Sequence, residues 1–379
     1  MEGKRIEMTW TEVWAACRRP LRWWLMLLPA WVGVAQAWDL GHGLSVDLAL
    51  RGIGQHGVFS GPASRAGGAA LLDVAPRWEP TPDDVVFLWA RFAAGNGLNA
   101  HTPTVLAPYG GDLGDDVRGI DGTDRSYLLE GWVQRRIPMK GLGVFRLTLG
   151  IVDVARFIDE NDYANDQDGQ FMNQALVNVA KSVLPNYEPA AVLQWDRGPW
   201  SLRAAGVLGS LDNSMHLDYG AGELVYTAQT PWGEGHTRVL GFLSGPGHPA
   251  PDGRMHDRRI AAVALNMDQA LGDTLGVFFR GQVQAERGDG VYRSMLSGGA
   301  VWSGRAWGRP SDRVGIGYAM LEGMDHTGLR GTQLVEVYWR WRLGKAVDWS
   351  LDLQWMRDDY RHGSDVEAWI GGLRANVVF

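Results

Sequence analysis

The chain of 379 residues has one cysteine, Cys17, and four lysines among 36 basic residues. A disulfide framework is therefore excluded, and the fold must rest on hydrogen bonding and burial. No uninterrupted apolar run reaches the ~18 to 20 residues of a membrane-spanning helix, which excludes a helical membrane protein. Basic charge is also scarce: 43 acids outnumber the bases, for a formal net charge of -7. A nucleic-acid binder needs a basic face, and this composition argues against one. Enzyme signatures are missing too. The chain lacks G-x-S-x-G, H-E-x-x-H and a P-loop, and Gly344-Lys345 is not followed by Ser or Thr. The nine histidines are scattered, without ligand spacing. No cofactor is expected.

What is abundant is glycine, at 51 residues, and tryptophan, at 19. Charged residues make up 21% and hydrophobic residues 45%, so the chain is not a disordered one. A mean hydropathy of -0.17 suits a soluble protein, but equally a membrane barrel, whose alternating strands average to a polar score.

Residues 1-37 read as an export signal. Arg18, Arg19 and Arg22 precede an apolar run from Trp23 to Ala35, and Ala35-Gln36-Ala37 has the small-x-small pattern of a cleavage site. The long stretch before Arg18 leaves either Met1 or Met8 as the start. Cleavage removes five bases, three acids and the cysteine, which takes the net charge from -7 to -9. Residues 38-379 then form one domain.

From Gly41 onward the pattern has period 2. Trp349, Leu351, Leu353 and Trp355 share one face of a strand, and Asp348, Ser350, Asp352 and Gln354 share the other. Val335, Val337, Trp339, Trp341 and Leu343 alternate with Glu336, Tyr338, Arg340 and Arg342. Phe145, Leu147, Leu149 and Ile151 alternate with Arg146, Thr148 and Gly150. About sixteen such segments follow one another, the first at 43-52 and the last at 366-379, and the breaks between them alternate short and long. That predicts an all-β fold: a transmembrane antiparallel β-barrel with short periplasmic turns and long outer loops. Trp78, Trp89, Trp195, Trp200, Trp302, Trp339, Trp349, Trp355 and Trp369 fall near strand ends, where aromatic girdles meet lipid headgroups. The last strand ends on Phe379, which resembles the signal read by barrel-assembly machinery. Charges on the polar faces would each cost ~2 to 4 kcal/mol against lipid at the midplane, so they must face a lumen. Both signs occur there, which predicts a wet channel.

The segment 153-189 mixes Asp, Asn, Gln and Arg with Phe157, Tyr163 and Phe171. Polar rims and flat apolar faces suit sugars, and a loop packed on its own side chains is the equal alternative. Its acidic run 159-168 misses the oxygen positions of an EF-hand, so a solvated loop is preferred to a calcium site.

At this loop the sequence resembles the carbohydrate-selective porins of the OprB type. The matching residues are Gly150-Ile-Val-Asp153, Phe157-Ile-Asp159, Asn161, Tyr163-Ala-Asn-Asp166, Gln170-Phe171, Asn173, Ala175-Leu176, Asn178, Pro185, Tyr187 and Pro189. Gly299-Ala-Val-Trp-Ser-Gly304, Gly308-Arg-Pro-Ser-Asp-Arg-Val-Gly315 and Asp352-Leu-Gln-Trp355 are also similar. The resemblance implies a sixteen-stranded outer-membrane channel that passes glucose-like sugars by diffusion, narrowed by inward-folded loops. On that expectation the narrowing comes from 94-124, 154-189 or both. Asp153, Arg156, Asp159, Asn161 and Asn165 are the loop candidates for the pore lining, and Arg146, Arg203, Arg280, Glu336, Arg340 and Arg342 the wall candidates. The expected partners are permeating sugars, outer-membrane lipid and the assembly machinery, with the protein a monomer or homotrimer. An exporter of acidic polysaccharide, favoured by a continuous arginine track, and an outer-membrane hydrolase, which needs a Ser-His pair, are the alternative functions. A structural barrel with a plugged lumen is a third.

Overall fold

The computed structural model describes residues 38–99, 101–111, 127–179, 187–211, 214–244, 260–285 and 290–379. The expected export signal lies outside these residues. Seventeen strands follow in chain order: β1 (Trp38–Gly41), β2 (Leu44–Phe59), β3 (Arg65–Thr81), β4 (Asp84–Gly95), β5 (Tyr127–Met139), β6 (Gly143–Val152), β7 (Glu188–Arg197), β8 (Trp200–Leu211) and β9 (Ser214–Thr230). They continue as β10 (Gly233–Ser244), β11 (Ala261–Leu271), β12 (Leu275–Gln284), β13 (Tyr292–Ser303), β14 (Arg313–Gly323), β15 (Leu329–Leu343), β16 (Val347–Tyr360) and β17 (Val366–Val378). Each of β2 to β17 pairs antiparallel with its sequence neighbour, and β17 returns to β2 through the register Leu373↔Gly54, so sixteen strands close into a barrel. Closure leaves no free sheet edge, which the interior of a bilayer requires.

The short β1 was not anticipated. β17 stops opposite Ala49, and Phe379 donates its N–H to the Leu48 carbonyl at 2.8 Å. β1 then pairs with Leu44–Val46 on the same edge of β2. It thus covers the stretch of β2 that the C-terminus leaves bare.

Alternation sets the two faces as the pattern predicts. Leu147, Val337, Leu351 and Leu243 are exposed on the outside, while Thr148, Glu336, Asp352 and Ser244 are buried within. The tryptophans form girdles: Trp78, Trp200, Trp302 and Trp339 at the end of the short turns, Trp355 and Trp369 paired at the other. Trp89 departs from this expectation. It points inward, its Nε1–H donates to Asp73, and its ring lies under the Arg91 and Arg156 guanidiniums. The outer connection between β8 and β9 is shorter than expected, since the strands run to Leu211 and resume at Ser214. At the short-turn end, a helical turn at Gly304–Trp307 occupies the β13–β14 connection, and Gly308 ends it in the left-handed conformation.

Candidate functional site: the inward-folded loop

Among the described residues, two connections fold into the barrel. One leaves β6 at Asp153, the other leaves β4 and is described to residue 111. In the first, Asp153 caps a helical turn, Val154–Arg156, by accepting from the Ala155 N–H. Arg156 then forms a forked ion pair with Glu130 of β5, with Nε to Oε1 at 2.8 Å and Nη2 to Oε1 at 2.5 Å. The chain next passes under Arg203 of β8, whose Nη1 donates to the Phe157 carbonyl and to Glu160.

Asp159 is the hub of the anchorage. Its backbone sits at φ 68, a left-handed conformation tolerated by few residues besides glycine and fixed here from all sides. Its N–H donates to Glu223 of β9 at 2.9 Å, and its Oδ1 accepts from Asn266 of β11 at 2.6 Å and Arg280 of β12 at 3.2 Å. Its Oδ2 accepts from the Val179 N–H at 2.7 Å, which pins the returning limb of the loop to the outgoing one. Asn161 donates to Asn266 at 2.7 Å and accepts from Tyr163 and Ala164, so it turns the chain and ties it to the wall together. The Tyr163 ring lies against Gly276 of β12, where any side chain would collide with it.

At the far side the loop meets β15, β16 and β17. Arg340 donates to the Gly169 carbonyl, and Arg374 to the Gln167 and Gln170 carbonyls. Glu336 accepts from the Met172 and Asn173 N–H groups, at 2.5 and 2.9 Å. A single helical turn, α1 (Gln174–Val177), follows, and Leu176 with Phe171 packs against Gly317 of β14. The second inward connection joins here. Gln55 and Gln354 both donate to the Pro108 carbonyl, Gly110 donates to Met172, and the Tyr109 hydroxyl donates to Asp168 at 2.8 Å. Both candidate segments therefore enter the barrel.

Position decides what each carboxylate can do. Burial opposes ionisation of Asp168, but Arg51, Arg91 and Arg374 and the Tyr109 hydroxyl prevail and hold it below the usual carboxylate range. The neighbouring Asp166 is pushed above that range by its place deep in the barrel and by the Asp168 charge. Asp162 is raised in the same way, by surrounding protein first and then by Asp268.

This geometry corrects several expectations. Asp159, Asn161, Arg280 and Glu336 are buried and fully engaged between loop and wall. They hold the loop and do not line a lumen. Asn165 is likewise occupied within the loop, by Gln170 and Asn178. Arg342 sits at the rim, donating to the Lys345 carbonyl of the β15–β16 turn. Phe157 and Phe171 are buried in edge-on contact with Trp132 and Tyr338, leaving Tyr163 alone of the three loop aromatics partly exposed. The inner wall is also less wet than its charges suggest. Phe278, Met295, Leu321, Leu334 and Met356 face inward and pack with Phe171, Leu176 and Leu106.

Solvent reaches the remaining arc. Arg146 of β6 pairs with Asp196 of β7, and their side chains keep 33% and 35% exposure. Arg136 of β5 pairs with Asp83 in the same way. Across from them the loop presents Arg156, Glu160, Asp162 and Asp166. Of the residues anticipated from sequence, Arg156 is exposed in this space and Arg146, Asp153 and Arg203 partly so, while Arg340 is partly exposed on the far side. Glu160, Asp162, Asp166 and Asp196 were missed. Their signal was present for Asp196, which alternates inward beside Trp195; the loop acids had none, because a loop has no period.

No protein-family model matches the chain. A protein of Aquifex aeolicus (strain VF5), described as an uncharacterized protein, is 27% identical over 295 residues, which is 76% of this chain and 82% of that one. Among solved structures, the high-pH structure of Pseudomonas putida OprB superposes with a TM-score of 0.69 at 14% identity, over 89% of this chain and 94% of that one. The outer-membrane channel DcaP of Acinetobacter baumannii gives 0.57 at 11% identity, over 91% and 100%. Pseudomonas aeruginosa OccK11 gives 0.52 at 12%, over 93% and 100%. At these identities the likeness is one of fold.

Proposed function

We propose that this protein is an outer-membrane porin through which small hydrophilic solutes, sugars among them, diffuse passively. The observation that carries the reading is that the inward loops fill the barrel incompletely. They are tied to β5, β9, β11, β12 and β15 to β17 by hydrogen bonds and pack Val154, Phe157 and Ile158 on inner faces of β4, β5 and β7, while Arg136, Arg146 and Asp196 near the short-turn ends of β5 to β7 stay paired and partly exposed. A structural plug would bury these charges as well. Paired charges hydrate a passage without binding a solute so tightly that it cannot leave. The polar groups there are fixed donors and acceptors suited to hydroxyls, and Trp89 and Tyr163 supply the partly exposed flat faces. The resemblance of the loop to carbohydrate-selective porins supports sugars over other neutral solutes. On the solvent-reached arc Arg136, Arg146 and Arg156 are each paired with an acid, which does not favour an exporter of acidic polysaccharide, for which a continuous arginine track is expected.

Liposome swelling with sugars of graded size, alongside single-channel current in planar bilayers, tests this. The reading requires open-channel current and faster swelling with monosaccharides than with uncharged polyols of equal size. Current with permeation by size alone removes the sugar preference, and zero conductance removes the channel.

A further inference from the structure

The periplasmic third of the barrel holds a cluster that the diffusion pathway does not explain. His236 of β10 and Asp268 of β11 are directly opposite each other in the strand register, and Asp162 of the inward loop reaches the same point. One coordinating atom from each lies within 4.8 Å of the others. His236 Nδ1 is 2.7 Å from Asp268 Oδ1 and 3.8 Å from Asp162 Oδ2. Ligands ~2.1 Å from a tetrahedral zinc ion are separated by about 3.4 Å, a spacing these two distances bracket.

The surroundings are arranged as for a metal ligand. The second oxygen of Asp268 is held by Arg238 at 2.5 Å, which fixes the carboxylate and leaves Oδ1 turned to the cluster. The second ring nitrogen of His236 faces Glu234 at 3.7 Å, so Nδ1 is the one directed at the two aspartates. Asp162 is 56% exposed, which gives an ion an entry path and open positions for water. Three carboxylates against one guanidinium leave two negative charges uncompensated when His236 is neutral, and a divalent cation supplies that balance. One nitrogen and two carboxylate oxygens suit a borderline ion such as Zn2+ better than Ca2+ or Mg2+, which take oxygen-only shells.

We propose that Asp162, His236 and Asp268 form a divalent transition-metal site that ties the inward loop to the barrel wall. The site does not depend on the sugar reading, because it joins two parts of the chain whatever solute passes. Zn2+ titrated into the full chain in detergent micelles, followed calorimetrically, tests it, with Co2+ absorption in the visible as the spectroscopic readout. One saturable site per chain is expected. Glu234→Gln should weaken it about tenfold, as loss of a partner to a ligating histidine does, and Asp162→Asn and His236→Gln should weaken it more. Asp162 is exposed in a loop, so its variant leaves the barrel intact, and the retained mobility of the folded barrel on unheated gels verifies this for each. Leu147→Ala, on the outer face of β6, should bind as the unaltered chain does. Absence of saturable Zn2+ binding, or binding that survives both Asp162→Asn and His236→Gln, overturns the proposal.

Discussion

The inner wall has two arcs built from the same alternating pattern with opposite fates. On β11 to β17 the inward residues are buried, among them Asp268, Arg280, Glu336, Asp352 and Arg374, because the loops lie over them. On β5 to β7 the inward Glu130, Trp132, Thr148 and Val192 are buried too, but Arg136, Arg146 and Asp196 toward the short turns remain half in water. Charge content does not separate the arcs; what covers them does. A polar residue on an inward face is therefore committed to water or to anchorage only once the loops are placed. On the covered arc charges are held by neutralising partners and backbone groups, where removal of one partner strands the other. On the open arc they exchange with solvent and weigh little.

Breaking the covered arc should have the largest effect. Asp159→Ala removes the carboxylate that neutralises the buried Arg280, leaves Arg280 and Asn266 only backbone carbonyls as acceptors, and frees Val179. Loss of one partner in a buried ionic network costs ~3 to 5 kcal/mol, enough to release the loop. Single-channel recordings should show a larger and noisier conductance from a barrel that still folds. Next is the outer face: Val337→Arg places a charge near mid-strand against lipid and should cost ~2 to 4 kcal/mol, seen as a lower denaturant midpoint of the barrel in lipid. The opposite choice on the open arc, Arg146→Ala, should shift stability by less than ~0.5 kcal/mol and alter only ion selectivity, measured as reversal potential.

The pH response separates the arcs more finely. Asp168 is held below its ordinary value of 3.8, so its anchoring contribution is complete above that pH and disappears as pH falls through its lowered value. Asp166 is raised and has the opposite sign: its contribution is complete below its ordinary value and is lost as pH rises through the raised one. Current should therefore be quiet at neutral pH and become unsteady only in strong acid. Asp166→Asn should quieten the channel slightly at neutral pH, by ~0.2 to 1 kcal/mol in loop docking for a partly exposed charge.

How much of this was legible in the sequence follows the same division. The sixteen barrel strands and their faces were readable, because a two-residue period needs only neighbours: Trp349, Leu351 and Leu353 lie outward and Asp352 inward as the alternation requires. Strand ends were less clear, as at 53–59, where Gly54 and Gly57 blur the pattern in a stretch that the barrel still pairs. The loop was recognisable as a site but not its contacts. Asp159, Asn161 and Glu336 looked like pore residues because their partners, Glu223, Asn266 and Met172, lie far away in sequence. The His236–Asp268 pairing is hidden for a related reason. It depends on the register of β10 with β11, which sets side by side two residues 32 positions apart.

Both arcs can be probed in one experiment, because Cys17 is the sole native cysteine. In a Cys17→Ser background, single cysteines at Arg146, on the open arc, at Glu336, on the covered arc, and at Leu147, on the outside, are exposed in turn to a charged, membrane-impermeant thiol reagent during bilayer recording. The account predicts a prompt stepwise loss of current for Arg146→Cys and none for Leu147→Cys or Glu336→Cys. Equal modification at Arg146 and Leu147, or no response at Arg146 from either side of the membrane, would contradict a water-filled passage along that wall.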